Sequence, residues 1–217
     1  MTASLSPPSR RHGFYERYIL PPLLGLACGA KPIRKQREKI VPRARGVVLE
    51  LGFGAGLNLA HYDLARVTRI FALEPAAGML ARARKAAAGF DRPIEILEET
   101  AETVSLGPAS VDTVLVTYSL CSIPDVAAAL EGARRVLKPA GRLLFCEHGL
   151  APDEVVRRRQ RSIDPFWRRI GGGCRLTRDI PALIAGAGFT IEDLQTMYLP
   201  GTPRWAGFNW WGSARVR

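Results

Sequence analysis

Cysteine is scarce and poorly spaced for a disulfide framework or a metal site. Only Cys28, Cys121, Cys146 and Cys174 occur, no two at CxxC spacing and none beside a histidine at a zinc-ligand interval, so the spacing predicts no metal. Cys121 and Cys146 fall within or at the ends of strand-like runs, where a reduced cysteine behaves as a small hydrophobe. A reducing, cytoplasmic setting is therefore expected. Long apolar runs are also missing. Residues 18–30 are apolar but are broken by Pro21 and Pro22, and they fall short of the roughly 20 residues a spanning helix needs. No signal peptide and no transmembrane anchor are expected, while a peripheral membrane contact stays open. There is no internal repeat and no low-complexity tract. Acidic residues are too few to balance the basic ones, and the net charge is +11.

That excess suits an anionic neighbour (nucleic acid, a lipid surface or an acidic substrate) or else spreads harmlessly as solvated arginine. A chain of 217 residues with 47% hydrophobic content can build one full core. Residues 1–12 are polar, basic and proline-bearing, so a mobile segment is expected. Residues 14–26 suggest short helical pieces around the proline pair, and 31–45 a basic helix with a largely solvated face.

Further on, apolar runs alternate with helical spacings. Val47 to Leu51 is short, valine-bearing and bounded by glycine, which predicts a strand. Further strands are predicted over Thr68–Leu73, Ile94–Leu97, Val111–Tyr118, Arg142–Cys146 and Thr190–Tyr198. A first helix is expected to begin at Leu57–His61. A second carries Met79, Leu80, Ala83, Ala86 and Ala87 on one side and stops at Gly89. Asp125 caps a third, which ends in the turn Lys138-Pro139-Ala140-Gly141, and Thr177 or Asp179 caps another. Strands separated by such helices imply βαβ units and a doubly wound α/β fold. Residues 205–216 have no crossover helix before them and should return antiparallel as a terminal hairpin.

Two acids stand at equivalent places, Glu50 at the end of the first strand and Glu74 at the end of the second. In doubly wound folds both point into the crevice outside the strand ends. Gly52, Gly54 and Gly56 permit positive φ and a close backbone approach to a ligand. The dinucleotide fingerprint GxGxxG is not met, because Leu57 stands where its third glycine belongs. Glu50 beside the loop would repel a pyrophosphate but suits a cationic amino acid group, and Glu74 can accept from both hydroxyls of a ribose.

Glu50-Leu51-Gly52-Phe53-Gly54-Ala55-Gly56 resembles the ExGxGxG signature of class I S-adenosylmethionine-dependent methyltransferases. Leu73-Glu74-Pro75 is similar to their ribose-binding element, and residues 137–141 to the turn before their fifth strand. Residues 110–122, 145–148 and 170–178 further resemble the methyltransferase-like protein 7 family of thiol S-methyltransferases and its bacterial relatives. The resemblance implies a Rossmann-like seven-stranded sheet, mostly parallel with an antiparallel C-terminal hairpin. It implies a methyltransferase domain over 44–217 with a lid insertion at 151–174, and a helical cap over the substrate pocket at 1–43. The animal members begin with a hydrophobic anchor, and this chain has only the broken stretch 18–30.

The implied cofactor is S-adenosyl-L-methionine. Glu50 and the loop Gly52, Phe53, Gly54 and Gly56 would hold its methionine end, near a helix N-terminus. Glu74 would take the ribose, with Pro75 and Met79 near the adenine and Thr100 and Ala101 at its edge. Thr100 stands where many relatives carry an aspartate. Thr117, Tyr118 and Leu120 would lie where the methyl group is delivered, and Tyr118 could face the sulfonium. His148 is the candidate general base. Phe166, Trp167 and Leu23 suggest a hydrophobic acceptor, so the partner expected is a small or lipophilic molecule: a thiol, quinol, amine or lipid head group. An RNA or protein methyltransferase using the basic surface is the first alternative, although no RNA-binding module is visible. A non-catalytic S-adenosylmethionine-binding protein is the second. The element that marks N6-adenine methylation after the fourth strand is missing, since that place reads Thr117-Tyr118-Ser119-Leu120.

Overall fold

The computed structural model describes residues 20–217, so the expectations for residues 1–19 lie outside the described residues. Helices α1 (Leu20–Gly29) and α2 (Lys31–Ile40) precede β1 (Gly46–Leu51), which pairs in parallel with β2 (Val67–Leu73) and with β4 (Val111–Thr117). β3 (Ile94–Leu97) extends the sheet beside β2, and β5 (Leu137–His148) lies beside β4, both in parallel. β7 (Phe208–Val216) inserts antiparallel between β5 and β6 (Phe189–Tyr198), giving the seven-strand order β3-β2-β1-β4-β5-β7-β6. This is the expected Rossmann-like sheet. Its order reverses between β1 and β4, so the crevice for a ligand opens at their carboxyl ends.

Period-two alternation along the central strands feeds two separate cores. Leu49, Leu51, Val114, Val116, Leu143 and Phe145 pack against α4 (Val126–Val136) and α6 (Ile180–Gly186). Val48, Leu115, Leu144 and Cys146 face the other way, toward Ile40 of α2 and Ala83 of α3 (Ala77–Ala88). A sheet covered on both faces needs such uninterrupted apolar strands. The expected caps are present: Asp125 Oδ1 accepts from the Ala128 N–H at 3.0 Å, and Asp179 Oδ1 from the Ala182 N–H at 3.1 Å. Between the two alternatives for the last helix, Asp179 is thus the cap.

Several local expectations are corrected. Leu57–His61 does not open an α-helix: residues 54–58 form turns and only a 3₁₀ turn, Leu59–His61, follows. Gly54, Gly56 and Asn58 in this span disfavour continuous helix. Pro21 and Pro22 sit in the first turn of α1, where a proline's missing N–H leaves no helical bond unmade, and the helical piece expected before them lies outside the described residues. The turn expected at 138–141 is a bulge within β5, because Leu137 pairs with Val111 and Arg142 with Thr113. Trp205 belongs to the short helix α7 (Arg204–Gly207) rather than to a strand. The basic helix α2 is not wholly solvated, since Gln36 and Arg37 are buried.

The insertion after β5 is a helix, α5 (Glu154–Ile170), amphipathic in an unusual way. Its buried side includes Gln160 and Asp164, each fully engaged with backbone. Gln160 accepts from Ala151 N and donates to Gly149 O, both at 2.9 Å, and Asp164 accepts from Leu176 N at 2.6 Å. Polar side chains thus fix the helix to the loops around the sheet end. Among the described residues no helix is long and apolar enough to cross a membrane.

Candidate active site

The loop after β1 folds back onto the end of β2. Gly52 and Phe53 donate their N–H groups to Leu73 O at 3.1 and 2.9 Å, and Gly54 donates to Glu74 Oε2 at 2.7 Å. Glu74 Oε1 accepts from Ala76 N at 2.8 Å. Gly52 has φ +77°, and a Cβ there would come within 2.2 Å of Ser119 Oγ. Only glycine fits this turn between the ends of β1 and β4.

Glu50 is buried, and its two oxygens accept from Asn58 Nδ2 at 2.8 Å and Tyr62 OH at 2.6 Å. Asn58 also donates to Thr117 Oγ1 at 3.0 Å, which links β1 to the end of β4. Burial pushes the Glu50 carboxyl up to about 7, against the two hydrogen bonds. Glu74 is raised as well, by burial, against the N–H groups of Ala76 and Gly54. A buried carboxylate served only by neutral donors is suited to a cationic ligand group.

These groups line one cavity of about 470 Å³ at the switch point. Gly52, Phe53, Gly54, Glu50, Glu74, Pro75, Met79, Thr100, Ala101, Thr117 and Tyr118 all reach it. Three predicted residues do not line it. Gly56 packs away, and a Cβ there would meet Ala86 of α3 at 2.7 Å. Leu120 is fully buried in the apolar core. His148 turns toward sulfur, with Nε2 at 3.1 Å from Cys174 Sγ. Phe166 and Trp167 are also off the cavity wall: Phe166 is 64% exposed, and Trp167 packs edge-on against Trp205. The side chain of Leu23 lies outside the described residues.

Tyr118 is held in a left-handed conformation, φ +54°, directly after β4. Its hydroxyl donates to Asn209 Oδ1 at 2.5 Å, and the Arg37 guanidinium lies 5.0 Å from its ring centroid. The ring thus already faces a protein cation. Non-glycine backbone strain of this kind needs several tethers to persist, and Tyr118 has them.

Sequence reasoning missed Arg37, Asn58, Tyr62 and Glu147. Arg37 and Asn58 line the cavity. Asn58 and Tyr62, eight and twelve residues after Glu50, follow no regular helical face, because that span is turn rather than helix. Glu147 is wholly buried and fixes the loop after β4, its Oε1 accepting from Ser119 N at 2.7 Å and Leu120 N at 3.1 Å. Burial pushes it up to about 8. Beside it, Cys121, His148 and Cys174 gather, although 53 residues of chain separate the two sulfurs. The Cys174 hydrogen bond holds the Cys121 thiol well below the usual thiol range, against burial, while the same contact raises Cys174. Burial lowers His148, but the neighbouring Cys121 outweighs it and the imidazole is raised.

Comparison with known proteins agrees with this geometry. A methyltransferase domain model matches residues 49–145. Thiol S-methyltransferase TMT1B of Rattus norvegicus is 31% identical over 164 residues, which are 73% of this chain and 65% of that protein. Thiol S-methyltransferase TMT1A of Homo sapiens is 30% identical over 165 residues, 73% of this chain and 66% of that protein. The chain thus spans just under two thirds of the length of these relatives. Demethylmenaquinone methyltransferase of Clavibacter sepedonicus is 31% identical over 119 residues, 55% of this chain and 48% of that protein. In fold, a SAM-dependent methyltransferase from Thermotoga maritima superposes with a TM-score of 0.62 at 20% identity, covering 93% of this chain and 97% of its own. The glycine turn, the two strand-end carboxylates, the sheet order and the matched domain together place the chain in the class I S-adenosylmethionine-dependent methyltransferases.

Proposed function

We propose that this chain transfers a methyl group from S-adenosylmethionine to a small or lipophilic acceptor, with a thiol the preferred class. The observation that carries the reading is that Glu50 and Glu74, on either side of one glycine turn, line the same cavity. The residues present fit the cofactor. Glu50, buried without a cationic hydrogen-bond partner, would receive the ammonium of the methionine end. Glu74 would accept from the ribose hydroxyls, and Met79, Thr100 and Ala101 would border the adenine. When bound, S-adenosylmethionine supplies an electrophilic methyl group that is taken by in-line displacement.

The protein's part is to hold and enclose. Asn58 ties Glu50 to Thr117, so the carboxylate and the end of β4 keep a fixed separation. Fixed placement of this kind supplies most of the rate in a displacement that needs no bond to the enzyme. Leu20, Cys28, Ile123 and Pro124 add apolar lining to the cavity, which suits a lipophilic acceptor. The described part of the 1–43 cap contributes there through α1 and α2, and the 151–174 insertion through Gly172. The thiol preference is supported by the names of the relatives matched over most of the chain, and the quinol alternative by the shorter match to a demethylmenaquinone enzyme. A radiolabelled methyl-transfer screen across thiols, quinols, amines and lipids tests it. Label extracted with small thiols supports the reading, and label found only in protein or RNA refutes it.

A further inference from the structure

Three side chains outside the cavity lining converge at the carboxyl end of the sheet. Cys121 follows β4, His148 ends β5, and Cys174 follows α5 in the turn after Gly173. Their Sγ and imidazole nitrogen atoms all lie within 4.8 Å of one another. His148 Nε2 is 3.1 Å from Cys174 Sγ, and the Trp167 Nε1–H donates to the same sulfur at 3.2 Å. Hydrogen bonds hold the loop around Cys121: Arg175 N donates to Cys121 O at 2.9 Å, and the Arg178 guanidinium donates to Ile123 O at 2.6 Å and also to Leu120 O.

We propose that Cys121, His148 and Cys174 form a three-ligand site for zinc. Two thiolates and one imidazole are a borderline-soft donor set, which favours Zn²⁺ over the oxygen-seeking Mg²⁺ and Ca²⁺. Zn–S bonds of about 2.3 Å and Zn–N bonds of about 2.0 Å set tetrahedral ligand separations near 3.5–3.8 Å. The 3.1 Å between His148 Nε2 and Cys174 Sγ and the 4.8 Å upper limit on all three separations bracket that range. Trp167 supplies the outer hydrogen bond that thiolate ligands characteristically receive. A second feature lies beside the cluster. Glu147 Oε2 is buried with no hydrogen-bond partner, while its Oε1 holds the two residues just before Cys121. A positive charge beside this buried carboxyl would stabilise its ionised form.

On binding, whatever protons the two sulfurs and the imidazole carry pass to solvent, so that both cysteines ligate as thiolates and His148 as the neutral imidazole, and the three protein ligands leave a fourth position to water. The ion would tie together the loop after β4, the end of β5 and the turn after α5. This proposal does not rest on the methyl-transfer reading.

Cobalt titration tests it directly. Full-length protein, reduced and stripped of metal, should on addition of Co²⁺ develop a thiolate-to-cobalt charge-transfer band and the visible bands of a tetrahedral ion. Both should saturate at one equivalent and be bleached by Zn²⁺. Cys121→Ser and Cys174→Ser should each lose the charge-transfer intensity, and Cys28→Ser should keep it. Because a cluster variant could fail to fold, alkylation of the wild-type protein is followed by mass spectrometry in parallel: Zn²⁺ should protect Cys121 and Cys174 and leave Cys28 as reactive as before. No cobalt band in the reduced wild type, or equal alkylation of Cys121 and Cys174 with and without Zn²⁺, overturns the proposal.

Discussion

The N–H of Gly54 donates to Glu74 Oε2 at 2.7 Å, so the carboxylate at the end of β2 holds the glycine turn at the end of β1. One side chain thus shapes the loop and faces the place proposed for the ribose. Glu74→Ala should therefore weaken S-adenosylmethionine and adenosine alike, by about tenfold or more, since hydrogen bonds to a charged group contribute about 1.5–3 kcal/mol. Glu74→Gln, which keeps an acceptor for Gly54, should lie between. Calorimetric titration with both ligands checks this, and unchanged adenosine binding in Glu74→Ala would remove Glu74 from the ribose.

Glu50 makes a distinct prediction with pH. Its carboxyl is raised to about 7 in the fold, against about 4.3 in an unfolded chain. A raised carboxyl binds more protons folded than unfolded, so its stabilising contribution to the free protein is complete at low pH. That contribution is lost as pH rises through about 7. An ammonium ligand reverses the preference by favouring the carboxylate. S-adenosylmethionine affinity should then climb between pH 5.5 and 7, by up to about tenfold per pH unit, and level off above. Glu50→Gln should flatten the curve and leave adenosine affinity unaltered.

Gly52→Ala should destabilise the protein by about 1–3 kcal/mol, from the left-handed φ together with the clash against Ser119. Adding Ser119→Gly should recover part of that loss but not all, because the backbone cost remains. Thermal melts of the three variants report it, and a single variant as stable as wild type would show that the turn can rearrange.

How far the site could be read from sequence follows from the range of the interactions. Glu50, the glycines and Glu74 lie within 25 residues, and both strand ends are set by local periodicity, so their convergence follows from the fold rules alone. Asp125 and Asp179 were legible as caps for the same reason: the donor is three residues away. Leu57–His61 failed because the expected crossover helix is replaced by turns, and with it went any sign of Asn58 and Tyr62 as partners of Glu50. Arg37 looked like one charge among many on α2, and nothing local shows that it meets Tyr118, 81 residues later. The sulfur–imidazole cluster is the extreme case, since three separate sheet-end segments build it and no spacing rule links them.

His148 faces sulfur instead of the cavity. His148→Ala should accordingly leave the shape of the pH–rate profile for a true acceptor unchanged, even if the overall rate falls. Loss of one limb of the profile in that variant would restore His148 as the general base.

The central claim is met most directly by a single-turnover experiment. Protein in excess over methyl-labelled S-adenosylmethionine is mixed with a small lipophilic thiol, and the products are separated by mass spectrometry. The account predicts labelled thioether and S-adenosylhomocysteine in equal amounts, with formation suppressed in Glu50→Gln and Glu74→Ala. Tight binding of the donor with no label leaving it, or label appearing only in co-purified RNA or protein, would contradict it.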